Sequence, residues 1–162
     1  MDIDWSKLFQ AQRTLDERIM KEHQLSGDFF SERLLALQVE VGELANETRC
    51  FKYWSLKPPA DRNVILEEYV DGLHFILSLG LSLDFETIQP TFPKEESPIV
   101  EQFLQVFDRI AALKANQTVE SYTELFSYYL RLGAGLGFNA KDIQQAYFKK
   151  NKINHQRQEE GY

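Results

Sequence analysis

Cysteine is nearly absent from this chain: among 162 residues only Cys50 carries a thiol. An internal disulfide is therefore excluded, and with it the class of small disulfide-stapled extracellular domains. Proline and glycine are also scarce, at 5 and 8 residues, which rules out collagen-like and Pro/Gly-rich low-complexity chains. There is no basic excess. Lys and Arg number 18 against 25 Asp and Glu, and the net charge of −7 argues against binding along a nucleic-acid backbone. The longest apolar run, Leu73–Leu83, is too short to span a bilayer and contains His74. The opening MDIDWSKLF lacks the basic-then-apolar pattern of a secretory signal. The expectation is a cytoplasmic protein without membrane association, with residues 1–162 forming one domain, since this length suits a single core.

What the sequence does have is helical periodicity. No stretch alternates apolar and polar residues over a useful strand length, so the fold class is all-α, a helical bundle of about five to six helices. Asp4 reads as the cap of a first helix ending near His23, with Leu8, Ala11, Leu15 and Ile19 inward. Gly27 marks a loop, and Asp28 or Ser31 can cap the next helical segment, Leu34–Trp54. Pro58 and Pro59 stop that helix, and Asp61 opens a third segment, Asp61–Leu83. The proline-containing stretch Asp84–Ser97 reads as a connection, after which Pro98 takes the first position of a helix continued by Ile99, Phe103 and Ile110. Thr118 caps a helix through Leu132, where Gly133, Gly135 and Gly137 weaken and end it. Asn139, with Asp142 three residues on, opens the last helix.

Four carboxylates carry the chemistry. Glu40 and Glu43 lie three apart on the second segment, and Glu68 and Asp71 lie three apart on the third. Such spacing places each pair on one helix face, one turn apart. A lone E-x-x-E is most often a solvated face. The second pair is harder to dismiss, because its helix is apolar almost all round after Asp71 and should be buried. Inward carboxylates need a compensator. Magnesium, a hard cation taking oxygen ligands at about 2.0–2.1 Å and bridging phosphates readily, would serve. On spacing and burial alone, a metal site and merely solvated acidic faces both stand. The last helix adds a second stripe, Ile143, Tyr147, Lys150, Asn154 and Arg157, apolar above and hydrogen-bond-donating below. Its basic residues either complement the helix dipole or meet the charge of a polyphosphate.

The segments EVGELANETRCFKYWS, EEYVDGLHFILSLGL and KKNKINHQRQEEGY together resemble the all-α dimeric dUTPases, within the wider all-α nucleoside triphosphate pyrophosphohydrolase group that includes MazG-like enzymes. The first helix, LFQAQRTLDERI, is similar to that family's uracil-reading segment. The E-x-x-E and E-x-x-D pairs are shared by the whole group, whereas the closing K-N-x-x-N-x-x-R-Q-x-x-G-Y points to dUTPases within it. The resemblance implies that Glu40, Glu43, Glu68 and Asp71 ligate two or more Mg2+ ions, with Glu40 or Glu43 as general base. It implies that Lys150 and Arg157 contact phosphates, and that Gln12, Asn154 and Asp16 contact the nucleotide, Asp16 standing where some members have Asn. Trp54 and Phe51 correspond loosely to the family's aromatic wall. His74 follows the second acidic pair as in relatives, as a structural or a substrate-touching histidine. The reaction implied is hydrolysis of dUTP to dUMP and pyrophosphate, with dUDP also accepted, in a homodimer. A relative acting on dCTP or on modified nucleotides is the alternative.

Overall fold

The computed structural model describes residues 3–90, 92 and 97–161. The described residues form six helices and no strand: α1 (Trp5–Glu22), α2 (Phe30–Thr48), α3 (Arg62–Ser82), α4 (Ile99–Ala115), α5 (Val119–Gly135) and α6 (Ala140–Glu159). Part of the Asp84–Ser97 connection and the closing Tyr162 lie outside the described residues. α3 is the centre: it packs against α1, α2, α5 and α6, while α4 sits against α5 and α2. The reason is compositional. Its face from Tyr69 to Gly80 is buried on nearly every side, as expected of a helix with almost no polar stripe. Around it lie the inward stripes of the other helices, among them Leu37, Val41 and Leu44 of α2 and Ile143 and Tyr147 of α6.

The helix ends show which sequence signals act. Thr118 accepts from the Ser121 N–H, and Asn139 with Asp142 forms a full capping box. Asp4 and Asp61 occupy N-cap positions without a side-chain cap bond. α2 opens differently from the expectation of an Asp28 or Ser31 cap. Its N-cap is Phe29, in the left-handed region at φ 51°, and Asp28 reaches past it to accept from the Phe30 N–H at 3.0 Å. Pro98 is the N-cap of α4 rather than its first helical residue.

α5 also runs past the point where its glycines were expected to end it, to Gly135. Packing explains this. The Tyr69 and Tyr129 rings stack with centroids 4.6 Å apart. Each hydroxyl donates to the other residue's carbonyl, at 2.8 and 2.6 Å. A Cβ at Gly72 would collide with the Tyr129 hydroxyl, and one at Gly133 with that of Tyr69. Both glycines are notches that let α3 and α5 approach, and the contact outweighs their cost of about 1 kcal/mol in a helix.

Candidate active site

The packing of α2 on α3 brings the two acidic pairs together. Carboxylate oxygens of Glu40, Glu68 and Asp71 all lie within 4.8 Å of one another. Glu43 is more exposed, yet its charge acts on both Glu40 and Glu68. Burial, followed by the charges of Asp71 and Glu43, pushes the Glu40 carboxyl up to about 8 and that of Glu68 up to about 7. Burial also raises Asp71, against the pull of Lys150. Glu40 Oε2 and Glu68 Oε2 are buried without a hydrogen-bond partner. A cluster of repelling carboxylates with orphaned oxygens suits a hard divalent cation and no other common cofactor.

Beside this cluster is a cavity of about 360 Å³ whose lining includes Gln12, Asp16, Glu40, Asp71, His74, Lys150, Asn154 and Arg157. α1, α3 and α6 supply most of it. Lys150 is turned toward carboxylates: its Nζ donates to Glu67 Oε1 at 2.8 Å and lies 3.2 Å from Asp71 Oδ1. Burial works against its charge, but Glu67 and Asp71 prevail and hold its pKa above the ordinary lysine value. Arg157 donates to Asn154 Oδ1 at 3.4 Å, one turn back along α6.

On the other wall a polar knot closes on itself. Gln12 is buried in the α1 face toward α3, and its amide nitrogen donates to Asp16 Oδ1 at 2.9 Å and Ser78 Oγ at 3.1 Å. Ser78 in turn donates to Asp16 Oδ2 at 2.8 Å. The Gln12 carbonyl oxygen accepts from the Tyr147 hydroxyl at 2.9 Å and lies 2.5 Å from His74 Nδ1. Burial, with a smaller contribution from Lys150, drives the His74 pKa down to about 3, so its ring is neutral. Burial raises the Asp16 carboxyl, opposed by the bonds from Ser78 and Gln12.

Of the eleven site residues singled out in the sequence, nine stand in this cluster and cavity, and Glu43 borders the cluster at an exposed position. Trp54 does not line the cavity. It is 65% exposed, its ring set edge-on to Phe51 and Tyr53 beyond the end of α2. Sequence reasoning passed over Ser78, Glu67, Arg33 and Phe75. Ser78 could have been found, being a hydroxyl one turn beyond His74 on an otherwise apolar helix. Arg33 and Phe75 line the cavity with no signal that periodicity could supply.

A search of the curated proteins finds no match. The family comparison is decisive by contrast: the family model described as dUTPase matches residues 4–162, taking in both acidic pairs, the polar knot and the closing motif. The chain therefore belongs to the all-α dUTPase family, and its activity is that of a dUTP diphosphatase.

Proposed function

We propose that the activity is magnesium-dependent, cleaves dUTP between the α- and β-phosphates to dUMP and pyrophosphate, and extends to dUDP. The observation that carries this reading is the acidic cluster with its orphaned oxygens, beside a cavity lined on its far side by the polar knot of Gln12, Asp16, His74 and Ser78. Glu40, Glu43, Glu68 and Asp71 would hold two or more Mg2+ ions. Bound there, the ions would offset phosphate charge and lower the pKa of the attacking water. Glu40 or Glu43 takes the proton from that water as general base. Lys150 and Arg157 approach the polyphosphate from α6, Arg157 being able to donate in a bidentate way. Asp16, Asn154 and His74 meet the nucleoside, and the buried polar wall rejects cytosine by leaving its own groups unpaired. Incubation with each dNTP and Mg2+, with products resolved, tests this reading. Release of pyrophosphate from dUTP and not from dCTP is expected; equal turnover of both would move the enzyme to the broader pyrophosphohydrolase class.

The working form is a cytoplasmic homodimer of one-domain subunits. Supporting it, α2 presents Leu35 at 61% and Val39 at 50% exposure on its outer face, two turns and one turn before Gly42 respectively. A Cβ at Gly42 would meet nothing within 4 Å, so no contact inside the subunit accounts for a mid-helix glycine there. Light scattering of the purified protein checks it: a monomeric mass at micromolar concentration would refute the dimer. No helix among the described residues is long and apolar enough to cross a membrane.

A further inference from the structure

The polar knot around Gln12 determines something about His74 that neither residue determines alone. Asp16, as a carboxylate, only accepts hydrogen bonds, so the Gln12 side chain must turn its amide nitrogen to Asp16, as it does at 2.9 Å. Ser78 uses its proton on Asp16 and is left to accept the second amide hydrogen. The Gln12 oxygen is thereby directed at Tyr147 and His74. An amide oxygen cannot donate, so the ring nitrogen 2.5 Å away, Nδ1, carries the imidazole hydrogen. A neutral ring holds one such hydrogen, which leaves Nε2 as a bare lone pair. That atom is buried without a hydrogen-bond partner, on a side chain 5% exposed that lines the cavity. Both amide hydrogens and both oxygen lone pairs of Gln12 are meanwhile consumed within the fold.

We propose that Gln12, aligned by Asp16, Ser78 and Tyr147, is a positioning residue that fixes His74 as its Nδ1–H tautomer, and that His74 Nε2 accepts a hydrogen bond from a donor on the nucleoside. The inference rests on the dUTPase reading for the identity of that nucleoside. It reassigns Gln12, expected from the sequence to touch the nucleotide, to a role one bond removed. Two donors shared by deoxyuridine and its 5′-nucleotides offer the required chemistry, the sugar 3′-hydroxyl and the base N3–H. Thymine and uracil present both alike, so this contact does not discriminate between them. A free neutral histidine side chain carries its hydrogen mainly on Nε2; the fold therefore has to impose the other form, and the four-partner knot is what imposes it.

The first test needs no nucleotide and no variant. Long-range ¹H–¹⁵N correlation spectra of the histidine-labelled protein should show the His74 hydrogen on Nδ1 and an unprotonated Nε2. A hydrogen on Nε2 would overturn the proposal whatever the enzyme hydrolyses, so its failure is distinguishable from failure of the dUTPase reading. The second test is a double-variant cycle on deoxyuridine affinity, read with Gln12→Leu, His74→Phe and both together. Each single change should weaken binding about two- to tenfold, the range of one neutral hydrogen bond. The double variant should be no weaker than His74→Phe alone. Losses that multiply would show Gln12 touching the nucleoside by itself and defeat the positioning role. Repeating the wild-type measurement with 2′,3′-dideoxyuridine and with N3-methyl-deoxyuridine identifies the donor. A loss confined to the first assigns the hydroxyl, a loss confined to the second assigns N3–H, and no loss with either removes the Nε2 contact.

Discussion

Two buried polar regions hang on the same helix, one turn apart, and they are built on opposite terms. Around Asp71 and Glu68 like charges crowd together, two carboxylate oxygens are left without partners, and the carboxyls are pushed toward their neutral form. Around His74 and Ser78 the side-chain hydrogen bonds close on one another, and the one atom of the knot left unpaired is an acceptor, His74 Nε2. Unpaired buried groups are costly, so a fold keeps them only where something else completes them. On the proposed reading, a cation completes the first region. The second, apart from that one nitrogen, is closed within the fold and therefore holds its shape before any nucleotide arrives, which is a condition for strict base selection. On the proposed reading, the difference separates the part of the site that supplies charge from the part that supplies form.

The comparison breaks most visibly at the acidic cluster. Glu68→Gln and Asp71→Asn keep shape and remove one negative charge each, and turnover should fall about a hundredfold or more. The melting temperature of the metal-free variants should stay level or rise, because repulsion is relieved. Near-normal turnover at saturating Mg2+ in either variant would remove that residue from the metal site.

On the other side, Asp16→Ala should do the reverse, costing stability as well as selectivity. It leaves donors on Gln12 and Ser78 without their acceptor, a loss of about 1–3 kcal/mol in denaturant unfolding. The kcat/KM preference for dUTP over dCTP should narrow in parallel. Unchanged discrimination would leave uracil reading to Asn154 and backbone groups.

A gentler probe is pH. Glu40 and Glu68 titrate higher in the folded chain than the ordinary 4.5, near 8 and 7, so the stability they contribute is full below about 4.5 and is lost as pH rises through those values. His74 acts oppositely, its share being present above 6.5 and lost toward 3. Between pH 6.5 and 8 only the carboxylates act, and the melting temperature measured in EDTA should decline across that window. Saturating Mg2+ should flatten the slope. A metal-free profile that is flat or rising there would mean the carboxylates are not held as close as the structure places them.

The smallest effect is expected at Trp54, which belongs to neither region. Trp54→Ala should change kcat/KM for dUTP less than threefold, on the order of 0.5 kcal/mol, as for surface substitutions generally. A tenfold loss would show that the aromatic group folds onto bound nucleotide.

What could be read from the sequence divides along the same line. Helices declare themselves by spacing, so the inward positions Leu8 and Leu15 of α1 and the capping box at Asn139 were visible at once. The acidic pairs were visible because three-residue spacing alone puts carboxylates on one face. Glu67 as the partner of Lys150 was not, since 83 residues separate them and nothing local joins them. Nor could the sequence show that Gln12 has spent every hydrogen bond it can make, since the partners come from three helices. The αL opening of α2 at Phe29 also carries no local signature, because a bulky residue is a poor match to that conformation.

The stacked tyrosines of α3 and α5 bear on how portable this site is. Tyr69 and Gly72 flank the turn that holds Val70 and Asp71, and their complements, Tyr129 and Gly133, reside on a helix that contributes nothing to the cavity lining. The four must therefore be exchanged as a set. A designer grafting only the two acidic helices onto another bundle would bring Tyr69 without the carbonyl it needs and Gly72 without the hydroxyl that fills it. The smallest transferable unit of this candidate site thus includes a helix that never touches the cavity.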